Sequence, residues 1–176
     1  MQKKEIDLST FDEPRLIAIC KRMLAPQFEV EAEVTGKYLV DGSRVRIDLL
    51  ATPKQSLIDQ GFIDQPIGIE VKSPASKASS NAFAWQAITY AQSEFNGVRP
   101  AFVCMFPDVR YFWEDLTAVR MRQFLQFANV GQLETGHYQH NWDQWRIVFN
   151  APYYSVTRGM GGVTPEGLKR RSGNSG

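Results

Sequence analysis

The sequence has little net charge, few cysteines and no long apolar run. Its 20 lysine and arginine residues almost balance 19 aspartate and glutamate residues, which leaves a formal net charge of +1. This balance gives no support to nucleic-acid binding over the whole surface, although it leaves room for a local basic face. Cys20 and Cys104 are too few and too far apart for a disulfide framework, and their apolar neighbours predict buried free thiols in a reducing compartment.

The absence of hydrophobic targeting segments bears on location. No window approaches the roughly 18 consecutive apolar residues of a membrane span, and the N-terminus lacks the apolar stretch of a signal peptide. The sequence therefore predicts a soluble, cytoplasmic protein with no membrane partner. The 176 residues suit one domain with a sizeable core, which we expect over 1–157. The remaining 158–176 is rich in Gly and Ser, carries Lys169, Arg170 and Arg171, and predicts a flexible basic tail.

Apolar periodicity predicts the order of the structural elements. A helix over 11–25 is followed by a strand over 28–34, and Asp41-Gly42 predicts a hairpin turn into a second strand around Asp48. A third strand surrounds Glu70. The later elements are a helix over 79–96, an apolar strand over 101–106, a helix over 114–129 and a strand over 145–149. This order, with three strands as a meander, predicts an α/β fold with a mixed sheet.

The polar residues within two of these strands are the most informative feature. Side chains two apart on a strand share a face, so Glu70 and Lys72 are expected to point the same way. By the same rule Asp48 shares a face with Arg46, opposite Val45, Ile47 and Leu49. If the strands pair in register, two carboxylates and an ammonium converge. Carboxylate oxygens suit Mg²⁺, and a lysine beside them can orient water or stabilise a phosphate. The alternative is a salt-bridged, solvent-facing surface.

A further motif follows on the next helix, where Gln86 precedes Tyr90 by four residues. Together with Asp48 on the second strand and Glu70-x-Lys72 on the third, it resembles the PD-(D/E)xK nuclease superfamily, in particular its RecB-like and lambda-exonuclease-like branches. The resemblance covers about residues 9–106. It implies a restriction-endonuclease-like αβββαβ core with a mixed sheet flanked by helices.

The resemblance also implies roles for individual residues. Asp48, Glu70 and the backbone carbonyl of Val71 would hold Mg²⁺, for which Mn²⁺ would substitute. Lys72 would position the attacking water. Gln86 would hold the lysine or a metal-bound water, and Tyr90 would lie near the nucleic-acid backbone. The alternative for the last two residues is a solvent-facing pair, because they lie opposite the helix's apolar stripe, which the sequence assigns to Ala84, Ala87, Ile88, Ala91 and Phe95.

Other candidates have plainer alternatives. Glu13 could be a further metal ligand, as in several relatives, or could complete a capping box with Thr10. Three acidic residues of the first strand could reach the metal or could form a solvated face: Glu29, Glu31 and Glu33. Ser73 and Lys77 could contact a phosphate or could be ordinary loop residues. In the tail, Lys169, Arg170 and Arg171 could supply salt-dependent phosphate contacts.

The function implied by this resemblance is metal-dependent hydrolysis of DNA, in phage or prokaryotic recombination, repair or restriction. Exonuclease and endonuclease action remain equally open, including a restriction-type endonuclease acting as a homodimer. The alternative is a non-catalytic module that keeps a nuclease-like fold for binding DNA or another protein.

Overall fold

The structure is a computed structural model that describes residues 7–76, 79–135, 145–149, 154–159 and 162–166. Within these ranges the helices are α1 (Glu13–Leu24), α2 (Gln55–Ile58), α3 (Ser80–Ala91) and α4 (Asp115–Gln126). The strands are β1 (Phe28–Tyr38), β2 (Arg44–Pro53), β3 (Ile67–Val71), β4 (Ser93–Phe95), β5 (Val103–Phe106), β6 (Val130–Thr135), β7 (Trp145–Phe149), β8 (Tyr154–Gly159) and β9 (Gly162–Glu166). Short 3-10 helices cover Leu8–Thr10 and Val109–Tyr111.

All of these strands belong to one mixed sheet, in the order β4-β1-β2-β3-β5-β6-β7-β8-β9. The predicted meander of β1, β2 and β3 is present, and both of its pairings are antiparallel. The hairpin turn contains Gly42 at a φ of +78°, a conformation that favours glycine. The chain then crosses over through α3, so that β5 pairs with β3 in parallel, and β6 pairs with β5 in parallel. The predicted α/β class with a mixed sheet is confirmed.

Helices cover the two faces of the sheet. On one face the apolar residues of α1 pack against side chains of β2, β3 and β5. On the other face α3 and α4 enclose a second cluster with different residues of the same strands. The central strands β3 and β5 are buried on both sides as a result, which explains the continuous apolar run of β5. Cys20 and Cys104 are both buried in the α1 layer as free thiols.

The start of α1 differs from the predicted capping box. Asp12 is the cap, and its carboxylate accepts a hydrogen bond from the backbone N–H of Arg15 at 3.0 Å. Pro14 lies in the first turn, where its missing N–H costs nothing. Thr10 instead closes a preceding 3-10 turn by donating to the carbonyl of Asp7. Asp12 therefore takes the capping position, and the side chain of Glu13 is not used in a cap.

The end of α3 also differs, because the predicted helix over 79–96 stops at Ala91. Residues Ser93–Phe95 form β4, which pairs with the edge of β1. The contact with β1 is close at Gly36, where a Cβ would lie 2.4 Å from the ring of Phe95. Because Gly36 has no side chain, the Phe95 ring can pack closely against β1. This contact between strands overrides the local helical pattern.

Two further boundaries differ at the C-terminal side. The helix predicted over 114–129 is shorter, since α4 ends at Gln126. The strands β8 and β9 extend to Glu166, beyond the tail boundary predicted at residue 158. The rest of that segment, 167–176, lies outside the described residues. Among the described helices, none combines the length and the apolar character needed to cross a bilayer.

Candidate functional site

The site begins where β2 and β3 separate. Their ladder runs from Ala51 paired with Ile67 to Leu49 paired with Ile69. One residue further along β2, beyond the last ladder pair, the Asp48 carboxylate accepts a hydrogen bond from the backbone N–H of Val71 at 2.8 Å. This places Asp48 across from Glu70. The predicted convergence of the two carboxylates is therefore present.

The neighbouring strand is distorted at the same level. β1 and β2 pair Ala32 with Leu49 and Val34 with Ile47, and between these pairs Glu33 has a φ of +52°. On β2, Ile47 packs in the α3 layer while Leu49 packs in the α1 layer. The prediction that these two residues share one face is wrong, and the uncommon backbone conformation of Glu33 lies on β1 between their two partners. A backbone in an uncommon conformation beside a carboxylate pair is typical of functional sites.

Glu70 is buried in the middle of the sheet, and the residue is 2% exposed. Its Oε2 atom has no hydrogen-bond partner among the described residues. Burial and the neighbouring Asp48 carboxylate together raise the pKa of Glu70 to about 9, against a smaller opposing effect of Lys72. Burial also raises the pKa of Asp48, although the Val71 N–H opposes this rise. The two acids also share a side-chain hydrogen bond, which raises the pKa of Glu70 and lowers that of Asp48. The chain thus holds a protonated acid beside a carboxylate.

Lys72 follows β3 directly and forms an ion pair with Glu13 on α1, with Nζ and Oε2 3.3 Å apart. The pair explains the position of Glu13, because its side chain reaches toward the site. Glu13 lies close enough to raise the pKa of both Asp48 and Glu70 slightly by repulsion. Its carboxylate contacts the lysine, however, and the three acids do not form one cluster. Across the described residues, no group of three or more His, Cys, Asp or Glu side chains is arranged to hold a metal ion.

The helix α3 contributes Gln86 and Tyr90, and the Gln86 amide donates to the Tyr90 hydroxyl at 2.9 Å. The predicted position of this pair, opposite the apolar stripe, is wrong. Tyr90 belongs to the buried cluster and Gln86 is half-buried beside it. Burial, together with the nearby Glu70 carboxylate, raises the pKa of Tyr90 to about 12. The hydroxyl consequently stays protonated over the physiological range and can donate a hydrogen bond.

These side chains line one cavity of about 530 Å³. Six predicted residues lie on its wall: Glu13, Asp48, Glu70, Lys72, Gln86 and Tyr90. Two arginines that the sequence analysis did not select, Arg44 and Arg46, line it as well. The signal for them was present, since they precede Asp48 on β2 at steps of two residues. The cavity therefore combines a carboxylate pair with three cationic side chains.

The remaining predicted residues lie elsewhere. The hydroxyl of the buried Ser73 donates to the carbonyl of Phe11 at 2.7 Å and accepts from the N–H of Ala75. Both of its hydrogen-bonding functions are used to fix the loop, which favours the loop interpretation over a phosphate contact. Four other predicted contacts lie outside the described residues: Lys77, Lys169, Arg170 and Arg171.

The acidic residues of β1 pair on the surface and do not enter the cavity. Glu29 lies 3.4 Å from the Lys54 ammonium, and Glu33 lies 3.6 Å from the Arg46 guanidinium. Glu31 accepts from Asn96 at 3.4 Å. The solvated-face interpretation therefore fits all three.

Comparisons with known proteins identify no relative. No protein-family model matches the chain. Neither the curated proteins nor the solved structures contain a match. The functional argument therefore depends on the residues and their geometry.

Proposed function

We propose that this chain is a metal-dependent nuclease that hydrolyses DNA, with Asp48, Glu70 and Lys72 at its centre. The observation that carries the proposal is the buried acid pair. Glu70 is protonated at neutral pH in the metal-free chain, and ionising it beside Asp48 is costly in this buried position. A hard divalent cation such as Mg²⁺, or Mn²⁺ in its place, would offset this cost, and its preferred ligands are carboxylate and carbonyl oxygens. Asp48, Glu70 and the Val71 carbonyl are the groups that would hold it.

Each side chain of the cavity then has a defined task. A bound divalent cation supplies Lewis-acid chemistry at the phosphate. The Lys72 ammonium can donate hydrogen bonds to the attacking water or to the phosphate, and Glu13 holds the lysine side chain toward the cavity. The neutral Tyr90 hydroxyl and the Gln86 amide are paired donors on the opposite wall. They can orient the phosphodiester, which lowers the entropic cost of the reaction.

Arg44 and Arg46 extend the site along β2 toward solvent. A guanidinium presents a fixed fork of donors that fits phosphate oxygens. These arginines supply the local basic face that a chain with almost no net charge requires for binding DNA. We assign them to phosphates that flank the scissile bond.

The order of the elements also supports the proposal. The sequence α1, β1, β2, β3, α3 and β5 follows the αβββαβ core that the resemblance implies, with α2 and β4 inserted. We therefore place the chain in the PD-(D/E)xK superfamily, in a RecB-like or lambda-exonuclease-like branch. A cytoplasmic role in phage or prokaryotic recombination, repair or restriction is part of this proposal.

The test is cleavage of linear and covalently closed circular DNA by the full chain, with Mg²⁺ or with EDTA. We expect Mg²⁺-dependent products from at least one substrate and none with EDTA. Cleavage of the circle identifies an endonuclease, and cleavage of linear DNA alone identifies an exonuclease. A parallel RNA substrate checks the choice of nucleic acid. EDTA-resistant cleavage, or no cleavage of either DNA by folded protein with Mg²⁺ or Mn²⁺, would refute the proposal.

A non-catalytic DNA-binding module is the second candidate. The observation that favours it is the Glu13–Lys72 ion pair, which occupies the lysine and leaves only two acids to hold a cation. The same experiment distinguishes the two functions when binding is measured beside cleavage. Binding that is unaffected by EDTA, without products, would favour this candidate.

A further inference from the structure

The helix α4 carries apolar residues on two sides. Its inward residues, Ala118 and Leu125, are buried against the sheet. Four outward residues of α4 and its C-cap remain exposed: Leu116 (62%), Val119 (54%), Phe124 (61%) and Phe127 (90%). With 100° of rotation per residue, they lie within an arc of about 140°. A surface helix of a monomer normally presents a polar face to water.

A groove of about 850 Å³ lies at the N-terminal end of this surface. Its apolar wall includes Phe112, Trp113, Leu116 and Val119, so the groove and the exposed face of α4 are continuous. Its charged wall residues balance in sign: Arg110 and Arg122 against Glu114 and Asp115. A formally neutral groove does not attract a phosphate backbone, whereas it fits an apolar protein side chain.

The exposed apolar residues are symmetrically spaced along α4. Leu116 and Phe127 lie at equal distances from the midpoint between Met121 and Arg122, close to the centre of α4, and so do Val119 and Phe124. A two-fold axis through the midpoint, perpendicular to the helix, would pair α4 with an antiparallel copy of itself. Each Phe127 would then face Leu116 and the groove of the other copy. Such a self-complementary patch is what a two-fold interface requires.

We propose that α4 forms a symmetric homodimer interface, in which Phe127 of each copy enters the groove of the other. The exposed apolar face amounts to roughly 500 Å² per copy, given 150–250 Å² for an aromatic side chain. Two copies bury roughly 1,000 Å² through these residues alone, which reaches the size expected of a specific interface. The polar Arg120 and Gln123 on the same face also lie at equal distances from the midpoint and can pair across it. The surface involves none of the residues of the proposed nuclease site.

The first test is the mass of the full chain in solution between about 1 and 100 µM, measured by light scattering and sedimentation. We expect a dimer for the wild type and a monomer for Phe127→Asp and for Leu116→Asp. The control is Val40→Asp at the β1–β2 turn, where an equally exposed apolar residue lies outside the surface and dimerisation should persist. A wild-type monomer at the highest concentration would overturn the proposal, as would a dimer that persists in Phe127→Asp.

The second test fixes the orientation by cross-linking with a short bismaleimide. The native cysteines are buried and give a low background. We expect Leu116→Cys and Phe127→Cys proteins to form a cross-linked pair when mixed, and neither to form one alone. Cross-linking of either single variant with itself would indicate another geometry and would contradict the antiparallel arrangement. Both positions are exposed, so we expect each variant to fold. Circular dichroism of each variant checks this.

Discussion

Two buried glutamates in the same sheet have opposite surroundings. Glu70 in β3 and Glu134 in β6 are 2% and 3% exposed. The Glu134 carboxylate accepts hydrogen bonds from Arg122 at 2.6 Å and from Arg146 Nε at 3.0 Å. The Glu70 carboxylate is instead close to Asp48, and its Oε2 has no partner within the described part of the chain.

The difference is that the burial of Glu134 is explained by its partners in the fold, whereas the burial of an ionised Glu70 is not. A buried carboxylate is tolerated when cations and donors of the same chain satisfy it, and Glu134 meets this condition. Glu70 meets it only as a neutral acid bonded to Asp48, so ionising Glu70 costs stability unless a cation from outside the chain compensates the charge. This is the physical reason for assigning function to Glu70 and a structural role to Glu134.

The largest expected effect is a loss of DNA cleavage when Glu70 or a neighbouring site residue is substituted. Asp48→Ala, Glu70→Ala and Lys72→Ala should each reduce the rate by at least about a thousand-fold, because the first two would lose a ligand of the cation and the third would lose the ammonium beside the phosphate. Single-turnover cleavage of DNA with Mg²⁺ measures the effect. The matched control is Glu29→Ala on the exposed face of β1, which should keep the wild-type rate. Full activity of any of the three variants would remove that residue from the site.

The next largest effect is a loss of stability when Glu134 is substituted. Glu134→Ala should lower the free energy of unfolding by about 3 kcal/mol, because it leaves two arginines without their buried partner. Urea denaturation at neutral pH measures the loss. Glu70→Gln is the matched comparison and should not destabilise the metal-free protein. Equal losses in the two variants would mean that Glu70 is also satisfied within the fold.

The pH dependence of stability sharpens the same contrast. The folded pKa of Glu70, about 9, is above its ordinary value of 4.5. Folding therefore favours the protonated acid, whose contribution is complete below pH 4.5 and is lost as the pH rises through 9. In EDTA, wild-type stability should fall by a few kcal/mol over this window, since one pKa unit corresponds to about 1.36 kcal/mol.

Two comparisons check the origin of this fall. Glu70→Gln should flatten the profile, because an amide does not titrate. Mg²⁺ should also reduce the slope, since a bound cation favours the ionised acid. Thermal or urea unfolding at several pH values measures all three profiles. An unchanged slope in Glu70→Gln would assign the titration to another group.

The smallest effects are expected on the α3 side of the cavity. Gln86→Ala should slow single-turnover cleavage by roughly ten- to a hundred-fold, the effect of one hydrogen bond to a charged group. Tyr90→Phe should have a milder effect, because the ring keeps its packing and only the hydroxyl is lost. DNA affinity should change less than the rate in both variants. A wild-type rate in Gln86→Ala would limit the site to Asp48, Glu70 and Lys72.

Local patterns predicted the part of the site that lies on the strands. The alternation around Asp48 and Glu70 placed both acids on adjacent strands, and the observed register brings them together. The same alternation failed at Ile47, because the distortion beside Glu33 changes which layer the side chain enters. A pattern with a period of two cannot reveal where a strand is distorted.

Longer-range contacts explain the other errors. The apolar stripe assigned to α3 included Phe95, which instead belongs to β4 against Gly36 of β1. That error placed Gln86 and Tyr90 on the solvent side of the helix. The predicted capping box with Thr10 is absent, because Asp12 directly precedes the helix and caps it instead. The buried ion network of Glu134 depends on arginines from α4 and β7, and no spacing in the sequence connects them.

The hydrogen bond from the Val71 amide to Asp48 also gives the site a spectroscopic reporter. The resonance of this amide should respond to the charge of the carboxylate that accepts its proton. Proton titration, or a cation that competes for the Asp48 oxygens, should move this signal in a ¹H–¹⁵N spectrum. A single backbone resonance can therefore report occupancy and ionisation of the site in the absence of any substrate.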